Sequence, residues 1–417
     1  MKVLLVTAGS HGDVRPFVAL GERLLRAGHT PLVIAPRVFG PLAVGHRVPF
    51  APLDLDLSAV AASTRADAPG PLHFLAFARA MGGAVRPALG PLWEAAAAFR
   101  PDVVVHHPVL PLGQHLAERL DVPAVLAPPL PAFVPTGEFA SPVWSVRLPR
   151  PLHRFPALNR LSYRATAAAT AHWCRAAVDE WRADLLGLAP GRERMPERTL
   201  HPFSRHVLPR PHDWPADTGI TGYWFLPAPV ERELPQQVRD FLDDGPPPVY
   251  IGFGSMPLHR PARTTAVLSR VLERLGLRAI VATANVPPRK FPAVSRALVV
   301  RDVPHDLLLP HTSAVVHHGG AGTTGAAVVA GKPQVICPVG FDQPFWAERM
   351  RDLGVSGGTL PLHALGVRTL SAALRLVLED DGFGRRAGEL GEKVRAEDGT
   401  GAALAHLEQL TGIGVNA

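Results

Sequence analysis

The feature that most constrains the fold of this chain is a buried strand followed by a glycine-containing turn and an amphipathic helix, which occurs twice. The first copy has an apolar strand over residues 3–6, a turn over 8–15 and a helix that we expect to start at Pro16 and to end at Gly28. The second has a strand over 314–317, a glycine turn and a helix over 323–330. Strands and helices that alternate in this way predict parallel α/β sheets.

The two copies lie far apart in a chain of 417 residues, which predicts two domains because one hydrophobic core rarely organises so long a chain. We predict an α/β protein with two Rossmann-like, doubly wound parallel-sheet domains that face each other across a cleft. Open sheets of this type bind ligands at the carboxyl ends of their strands. The predicted segments are a first domain over 1–226, a proline-rich interdomain linker over 227–247, a second domain over 248–397, and a C-terminal segment over 398–417 whose helix packs back on the first domain.

The composition excludes several classes of protein. Prolines and histidines interrupt the apolar stretches before they reach the roughly 18 residues of a membrane span, and no cationic leader precedes an apolar helix at the N-terminus. Two cysteines cannot form a disulfide framework or a four-cysteine zinc site. We expect a cytoplasmic protein without stable membrane insertion, either a monomer or a homodimer.

The net charge of +7 is concentrated in one segment, residues 147–210, which holds twelve arginines and five acidic residues. That segment contains no recognition helix and no RNA-binding motif, so we expect a solvated basic face and no nucleic-acid partner. Weak contact with anionic lipid or with an acidic acceptor is the remaining alternative.

The second glycine turn, residues 317–325, gives the strongest functional signal. Its glycines allow backbone amides to approach a ligand closely, and the helix that follows offers unpaired N–H groups and the positive end of its dipole, which together suit a diphosphate. His318 can add a donor and Thr323 a hydroxyl. A purely structural turn would explain the glycines equally well, but Asp342 and Gln343 follow the next strand, where an acid and an amide can bond sugar hydroxyls. The combination predicts a nucleotide-sugar site.

These residues resemble the GT-B glycosyltransferases of the UDP-glucuronosyl/UDP-glucosyltransferase family, especially sterol-glucosyltransferase-like and antibiotic-tailoring bacterial enzymes. The resemblance covers nearly the whole chain and is strongest over 317–347, where HHGGAGTT and DQPFWA keep the family's order and spacing. GSHGDVRP at 9–16 and VPH at 303–305 are two further matches, whereas residues 135–229, where such proteins carry acceptor-shaping loops, match only loosely.

The resemblance implies an inverting, metal-independent enzyme that needs no cofactor beyond its nucleotide-sugar co-substrate. Such an enzyme moves a hexose or deoxyhexose to a hydroxyl of a hydrophobic small molecule, such as a polyketide, macrolide, flavonoid or sterol. Family members usually pack the nucleotide base on the segment written here as 301–304, often against a tryptophan that this chain lacks. UDP-glucose is the favoured donor, and a dTDP-sugar is the alternative. The residues assigned to donor binding are Ser10, Gly254, Ser255, Val303, His318, Gly320, Gly322, Thr323, Asp342 and Gln343.

The catalytic base of the family lies on the first turn, in the pattern Gly-His-x-x-Pro. Here Asp13 replaces that histidine, and His11 lies two residues earlier. A free histidine, with a pKa of about 6.5, is a better base near neutral pH than an aspartate at about 3.9, but the position favours Asp13. We expect Asp13 to be the base with His11 orienting or assisting it. His11 as the base, or Asp13 as a helix cap only, are the alternatives.

Other functions agree less well with the sequence. A dinucleotide oxidoreductase would need a G-x-G-x-x-G turn and an acid after the second strand, and both are missing. The triplet 54–56 supplies a formal Asp-x-Asp, but it lies far in sequence from the diphosphate turn. Adjacent His106 and His107 on a strand point to opposite faces, so we expect no metal site. We expect core or rim histidines, and one of them bordering the acceptor cleft is the alternative. A nucleotide-sugar epimerase or a non-catalytic donor-binding partner of the same fold is the alternative function.

Overall fold

The computed structural model describes residues 1–55, 80, 83–108, 112–143, 154–189, 194–226, 233–254, 261–283, 296–301 and 303–413. The chain divides into two compact units. The first consists of Met1–Arg205, Pro209–Leu226 and Asp398–Ala417, and the second of His206–Leu208 and Pro227–Glu397. The segment 227–247, which we predicted as a linker, therefore groups with the second unit and contains a helix, Gln236–Asp243.

The first unit has a seven-stranded sheet in the order β3-β2-β1-β4-β5-β6-β7, and every neighbouring pair is parallel. The chain runs from β1 to one edge and then returns past β1 to the other edge, which is the doubly wound order. The strands are Lys2–Val6 (β1), Thr30–Pro36 (β2), Phe50–Leu53 (β3), Val103–His106 (β4), Ala124–Leu126 (β5), Arg198–His201 (β6) and Thr218–Ile220 (β7).

Helices cover both faces of this sheet because β1 and β4 are apolar on both sides and each face needs a partner. On one face, α1 and the C-terminal helix Gly399–Thr411 share a core in which Phe17 and Leu20 lie with Leu407. The described helices of this part of the chain are His11–Arg26 (α1), Gly40–Gly45 (α2), Leu89–Phe99 (α3), Gly113–Leu120 (α4) and Pro156–Trp181 (α5).

The start of α1 differs from the prediction. The helix begins at His11, and Pro16 lies inside it. Ser10 is the N-cap and forms a capping box with Asp13, which satisfies amides of the first turn five residues ahead of the proline. The proline suggested a first helical position, but the cap determines the start.

The second unit repeats the same plan with six parallel strands in the order β10-β9-β8-β11-β12-β13. The predicted fold class of two doubly wound parallel α/β sheets is confirmed. Its strands are Val249–Gly252 (β8), Ala279–Ala282 (β9), Ala297–Val300 (β10), Ala314–His317 (β11), Gln334–Ile336 (β12) and Ser356–Thr359 (β13). The helices of the second unit are Gln236–Asp243 (α6), Pro261–Leu275 (α7), His305–Leu308 (α8), Ala321–Val329 (α9), Gln343–Asp352 (α10), Val367–Glu379 (α11) and Asp381–Arg395 (α12). The C-terminal helix, Gly399–Thr411 (α13), belongs to the first unit.

Several arginines of the basic segment 147–210 bind groups of their own unit. Arg182 is buried, and its guanidinium forms two hydrogen bonds with Glu118, at 2.7 and 3.1 Å. Arg160 contacts Asp213 at 2.7 Å, and Arg210 donates to backbone carbonyls at 2.7 Å. These arginines hold loops and helices of the first unit together.

Within the described residues, no helix has both the length and the apolar character that crossing a membrane requires.

Candidate functional site

The turn after β1 brings Ser10 and Asp13 into a reciprocal capping box. The Ser10 backbone N–H and hydroxyl donate to Asp13 Oδ2 at 2.7 and 2.9 Å, and the Gly12 N–H donates to the Ser10 hydroxyl at 3.2 Å. Gly9 has a φ of +127°, and a Cβ there would lie 2.3 Å from Asp13 Oδ2, so the turn requires glycine. The capping function that the sequence left open for Asp13 is therefore present, and it uses one carboxylate oxygen.

The other oxygen of Asp13 faces a histidine of the neighbouring strand. Asp13 Oδ1 lies 3.4 Å from His107 Nε2, and the Asp13 side chain is 26% exposed whereas that of His107 is buried. His107 follows β4, and its backbone N–H donates to the Val6 carbonyl at the end of β1. Burial lowers the pKa of His107, while the Asp13 carboxylate opposes this shift. His107 is therefore predominantly neutral at pH 7.

His106 and His107 point to opposite faces of the sheet, as predicted. His106 packs against α4, where a Cβ added to Gly113 would lie 2.2 Å from the Cβ of His106. The sequence analysis favoured a core or rim position for these histidines, with one of them at the acceptor cleft as the alternative, and it missed the contact between His107 and Asp13. The available signal was the histidine pair at the end of an apolar strand, but the pairing of β4 with β1 was needed to interpret it.

His11 is the first residue of α1 and is exposed. Its ring packs edge to face on Phe39, with 5.0 Å between centroids. A ligand can therefore reach both His11 and the partly exposed Asp13 on the first turn.

In the second unit, His317 and His318 have different environments. His317 is buried at the end of β11, its Nδ1 accepts from the Gly319 N–H at 3.1 Å, and its Nε2 therefore donates to the Gln334 amide oxygen at 2.8 Å. Burial, together with the neighbouring His318, lowers the pKa of His317 to about 3. His317 is a neutral structural residue that joins β11 to β12.

The ring of His318 lies between two glycines. A Cβ on Gly254 would be 2.8 Å from its Cε1, and a Cβ on Gly320 would be 2.6 Å from its Nε2. Burial lowers the pKa of His318 to about 4, with His305 acting in the same direction and the Gly252 carbonyl opposing it. The loops after β8 and β11 thus fix the orientation of an imidazole that is neutral at pH 7.

Helix α9 begins immediately after this ring. Gly320 is its N-cap, no side chain of the described residues caps it, and the first intrahelical bond runs from the Thr324 N–H to the Gly320 carbonyl at 2.9 Å. The amides of the first turn, including those of Gly322 and Thr323, are therefore available to an anion at the positive end of the helix dipole. The structure brings together five of the predicted donor-binding residues: Gly254, His318, Gly320, Gly322 and Thr323.

The segment predicted to hold the nucleotide base lies after β10. Val303 is buried, and His305 begins α8. The Tyr250 hydroxyl lies 2.8 Å from His305 Nε2, a contact that the sequence analysis missed. Ser255 lies outside the described residues, so its predicted contact with a phosphate stays a prediction.

Asp342 and Gln343 lie at the start of α10 and already have protein partners. The Trp346 indole N–H donates to Asp342 Oδ2 at 2.9 Å. The Gln343 amide oxygen accepts from the N–H groups of Val339 and Gly340 at 2.7 and 3.2 Å. Gln343 is 4% exposed and supports the loop, whereas Asp342 is half-buried. Their contact with a sugar stays a prediction.

Among the described residues, no three His, Cys, Asp or Glu side chains form a group that could hold a metal ion. Asp54, the first acid of the Asp-x-Asp triplet, forms an ion pair with Arg37 at 2.9 Å. Asp56 lies outside the described residues.

Comparison with known proteins agrees with these features. Residues 278–408 match the family model for the C-terminal domain of erythromycin biosynthesis protein CIII-like proteins. O-mycaminosyltylonolide 6-deoxyallosyltransferase from Streptomyces fradiae is 34% identical, over 98% of this chain and 97% of its own length. A sterol 3-beta-glucosyltransferase from Arabidopsis thaliana, UGT80B1, is 32% identical, over 97% of this chain and 67% of its own length.

The fold also matches solved structures. The Streptomyces sp. SF2575 glycosyltransferase SsfS6, complexed with thymidine diphosphate, aligns with a TM-score of 0.64 at 22% identity, over 98% of this chain and 99% of that chain. The sequence relationship extends over 97% of the length of the Streptomyces fradiae relative, and the fold is that of a solved glycosyltransferase. The chain therefore belongs to the GT-B glycosyltransferases of the UDP-glucuronosyl/UDP-glucosyltransferase family, of the natural-product and sterol type, and is itself a glycosyltransferase.

Proposed function

We propose that this enzyme moves a hexose or deoxyhexose from a nucleotide-diphosphate sugar to a hydroxyl of a hydrophobic small molecule, with inversion and without a metal. The observation that carries this proposal is the His318 ring, which Gly254 and Gly320 hold beside the uncapped start of α9. This arrangement offers a neutral imidazole and oriented amides to one anionic group, which suits the diphosphate of a donor.

The same groups supply the electrostatic part of the reaction. Negative charge develops on the leaving diphosphate as the bond to the anomeric carbon breaks, and fixed donors stabilise that charge without having to reorganise. The amides of the first turn of α9 and the His318 imidazole are such donors. They can perform the function that a divalent cation performs in metal-dependent transferases.

The first unit supplies the base. Asp13 Oδ1 takes the proton of the acceptor hydroxyl while its oxygen attacks the anomeric carbon from the side opposite the diphosphate, which inverts that centre. The Oδ2 atom stays in the capping box with Ser10, which fixes the orientation of the carboxylate. A general base of this kind contributes about 10²- to 10⁴-fold to turnover.

The relatives support two donor classes. The Streptomyces fradiae relative is named for transfer of a 6-deoxyallosyl group to O-mycaminosyltylonolide, and the SsfS6 structure contains thymidine diphosphate, which favours a dTDP-deoxysugar. The Arabidopsis relative is named for transfer of a glucosyl group to a sterol, which favours UDP-glucose. Both relatives are named for transfer to a hydrophobic alcohol, so the proposed acceptor class is the same for either donor.

An assay of donors against acceptors tests the proposal. The enzyme is incubated with UDP-glucose or a dTDP-6-deoxyhexose, with and without a macrolide aglycone, a sterol or a flavonoid, and nucleotide diphosphate release is measured. We expect release that depends on an acceptor, that persists in excess chelator, and that gives a product with inverted anomeric configuration by NMR. Epimerised donor in the absence of acceptor, or turnover lost with the chelator, would overturn it.

A further inference from the structure

His107 is the buried side chain whose geometry bears most directly on Asp13. Its Nε2 lies 3.4 Å from Asp13 Oδ1, the oxygen on which the proposed reaction depends. This distance is longer than the roughly 2.7–3.2 Å of an ordinary N–H···O hydrogen bond, so the two atoms form a close polar contact rather than a formed hydrogen bond. Contacts of catalytic groups often have this length and shorten when a substrate is bound. His107 is buried and cannot itself reach an acceptor, so any effect on the reaction must act through Asp13.

The two oxygens of Asp13 therefore have separate contacts. Ser10 holds Oδ2 with two hydrogen bonds, which fixes one end of the carboxylate. A carboxylate fixed only at Oδ2 can still swing Oδ1, whereas a second contact at Oδ1 defines the plane of the group. A base whose accepting oxygen is misplaced by about 1 Å loses on the order of 10²-fold in rate.

The position of His107 is itself well defined. Its backbone N–H donates to the Val6 carbonyl at 2.9 Å, which joins His107 to the strand that precedes the Asp13 turn. Its ring packs edge to face on Phe17, one helical turn after Asp13, with 5.9 Å between centroids. The strand and the helix that carry the base therefore also hold the imidazole. Because burial keeps the imidazole neutral, the carboxylate that it orients does not face a positive charge at this contact.

We propose that His107 is a positioning residue for the catalytic base: its imidazole fixes Asp13 Oδ1 in the orientation that receives the acceptor proton. This inference rests on the proposed function. In the step, the acceptor O–H bond breaks and an Oδ1–H bond forms. The electron pair of the acceptor oxygen forms the new bond to the anomeric carbon, and the pair of the old carbon–oxygen bond leaves with the diphosphate. His107 gains and loses no proton.

Two variants and a matched control test this inference. His107→Leu removes both ring nitrogens, and His107→Gln keeps an N–H donor of similar reach. His106→Leu makes the same substitution at an equally buried histidine of the same strand segment, on the opposite face. We expect kcat to fall about 10- to 100-fold in His107→Leu, partial recovery in His107→Gln, and a kcat near the parent value in His106→Leu. The KM for the donor should not change, because the donor binds the second unit.

The double variant that combines His107→Gln with Asp13→Asn distinguishes an effect through Asp13 from a general loss of folded enzyme. If His107 acts through Asp13, His107→Gln should lower kcat in the parent enzyme but have little further effect in Asp13→Asn. Multiplicative losses in the double variant, or a parent-like kcat in folded His107→Leu, would overturn the inference. A parent-like kcat in Asp13→Asn would instead refute the proposed base. Loss of turnover in Asp13→Asn with full activity in His107→Leu would refute only the positioning function.

Discussion

Ser10 binds Asp13 through one carboxylate oxygen: its backbone N–H and its hydroxyl both donate to Oδ2, at 2.7 and 2.9 Å. The capping contacts therefore leave Oδ1 as the oxygen that the proposed proton transfer would use. One side chain can in this way start α1 and act as a base, and the two functions respond differently to substitution.

Asp13→Asn separates these two functions. The amide oxygen of asparagine can still accept from Ser10, so the helix cap and the fold should persist, but the side chain is no longer a base. We expect turnover to fall about 10²- to 10⁴-fold. Donor affinity by calorimetry should stay within about twofold of the parent value, because the proposed diphosphate site lies in the second unit. Turnover close to the parent rate, measured alongside His11→Ala, would assign the base to His11.

Ser10→Ala removes the cap and leaves Asp13 in place. Loss of an N-cap hydroxyl costs about 1 kcal/mol of unfolding free energy, and we expect a loss of this size in urea denaturation of the first unit. We also expect lower turnover, because Asp13 loses a hydrogen bond that orients it. Ser10→Thr keeps the hydroxyl and is the matched control. A stability equal to the parent in Ser10→Ala would show that the capping box does not determine the start of α1.

Gly254→Ala and Gly320→Ala test whether the orientation of His318 controls donor binding. A Cβ at either position would lie within 2.8 Å of the ring, so the imidazole must move. We expect affinity for the nucleotide diphosphate to fall about tenfold, which corresponds to the loss of one good hydrogen bond. Gly384→Ala is the control, since a Cβ there meets nothing within 4 Å and α12 should gain about 0.5–1 kcal/mol. Unchanged affinity in both ring variants would exclude His318 from the donor site.

The sequence predicted those parts of the fold that depend on local pattern. The apolar strands β1 and β11 and the helix α9 after its glycine turn were found within two residues, because burial and backbone freedom leave a direct mark on composition. The strands Thr218–Ile220 and Ser356–Thr359 were missed because they are short and become strands only through their neighbours. The contact between His107 and Asp13 was missed because it depends on the order of strands in the sheet, which a single local segment does not encode.

Buried neutral histidines should make stability depend on pH. Burial lowers the pKa of His106, His201 and His317 from 6.5 to about 3. As the pH falls from about 6.5 towards 3, the unfolded chain takes up protons that the folded protein does not bind, so the free energy of unfolding decreases. The slope is roughly 1 kcal/mol per pH unit for each such histidine.

Urea denaturation at several pH values between 7.5 and 4.5 measures this slope. We expect His201→Gln to lower this slope by roughly 1 kcal/mol per pH unit, the contribution of one proton, in the unfolding of the first unit. This change should be seen whatever effect the substitution has on stability at pH 7.5. The same substitution at His212, whose side chain is 97% exposed, is the control and should leave the slope nearly unchanged. An unaltered slope in His201→Gln would show that His201 is protonated in the folded protein.

Trp346→Phe tests whether Asp342 contacts the donor sugar. The phenyl ring keeps most of the buried packing of Trp346 but removes the indole N–H that fixes Asp342 Oδ2 at 2.9 Å. Because Asp342 is predicted to bind sugar hydroxyls, we expect the KM for the nucleotide sugar to rise about 3- to 10-fold, the value of one hydrogen bond. The affinity for the free nucleotide diphosphate should not change, since that ligand has no sugar for Asp342 to bind. Trp214→Phe is the control, because the buried Trp214 indole N–H bonds no group among the described residues. An equal loss of affinity for the nucleotide diphosphate would place Asp342 at the phosphates or in the general support of the loop.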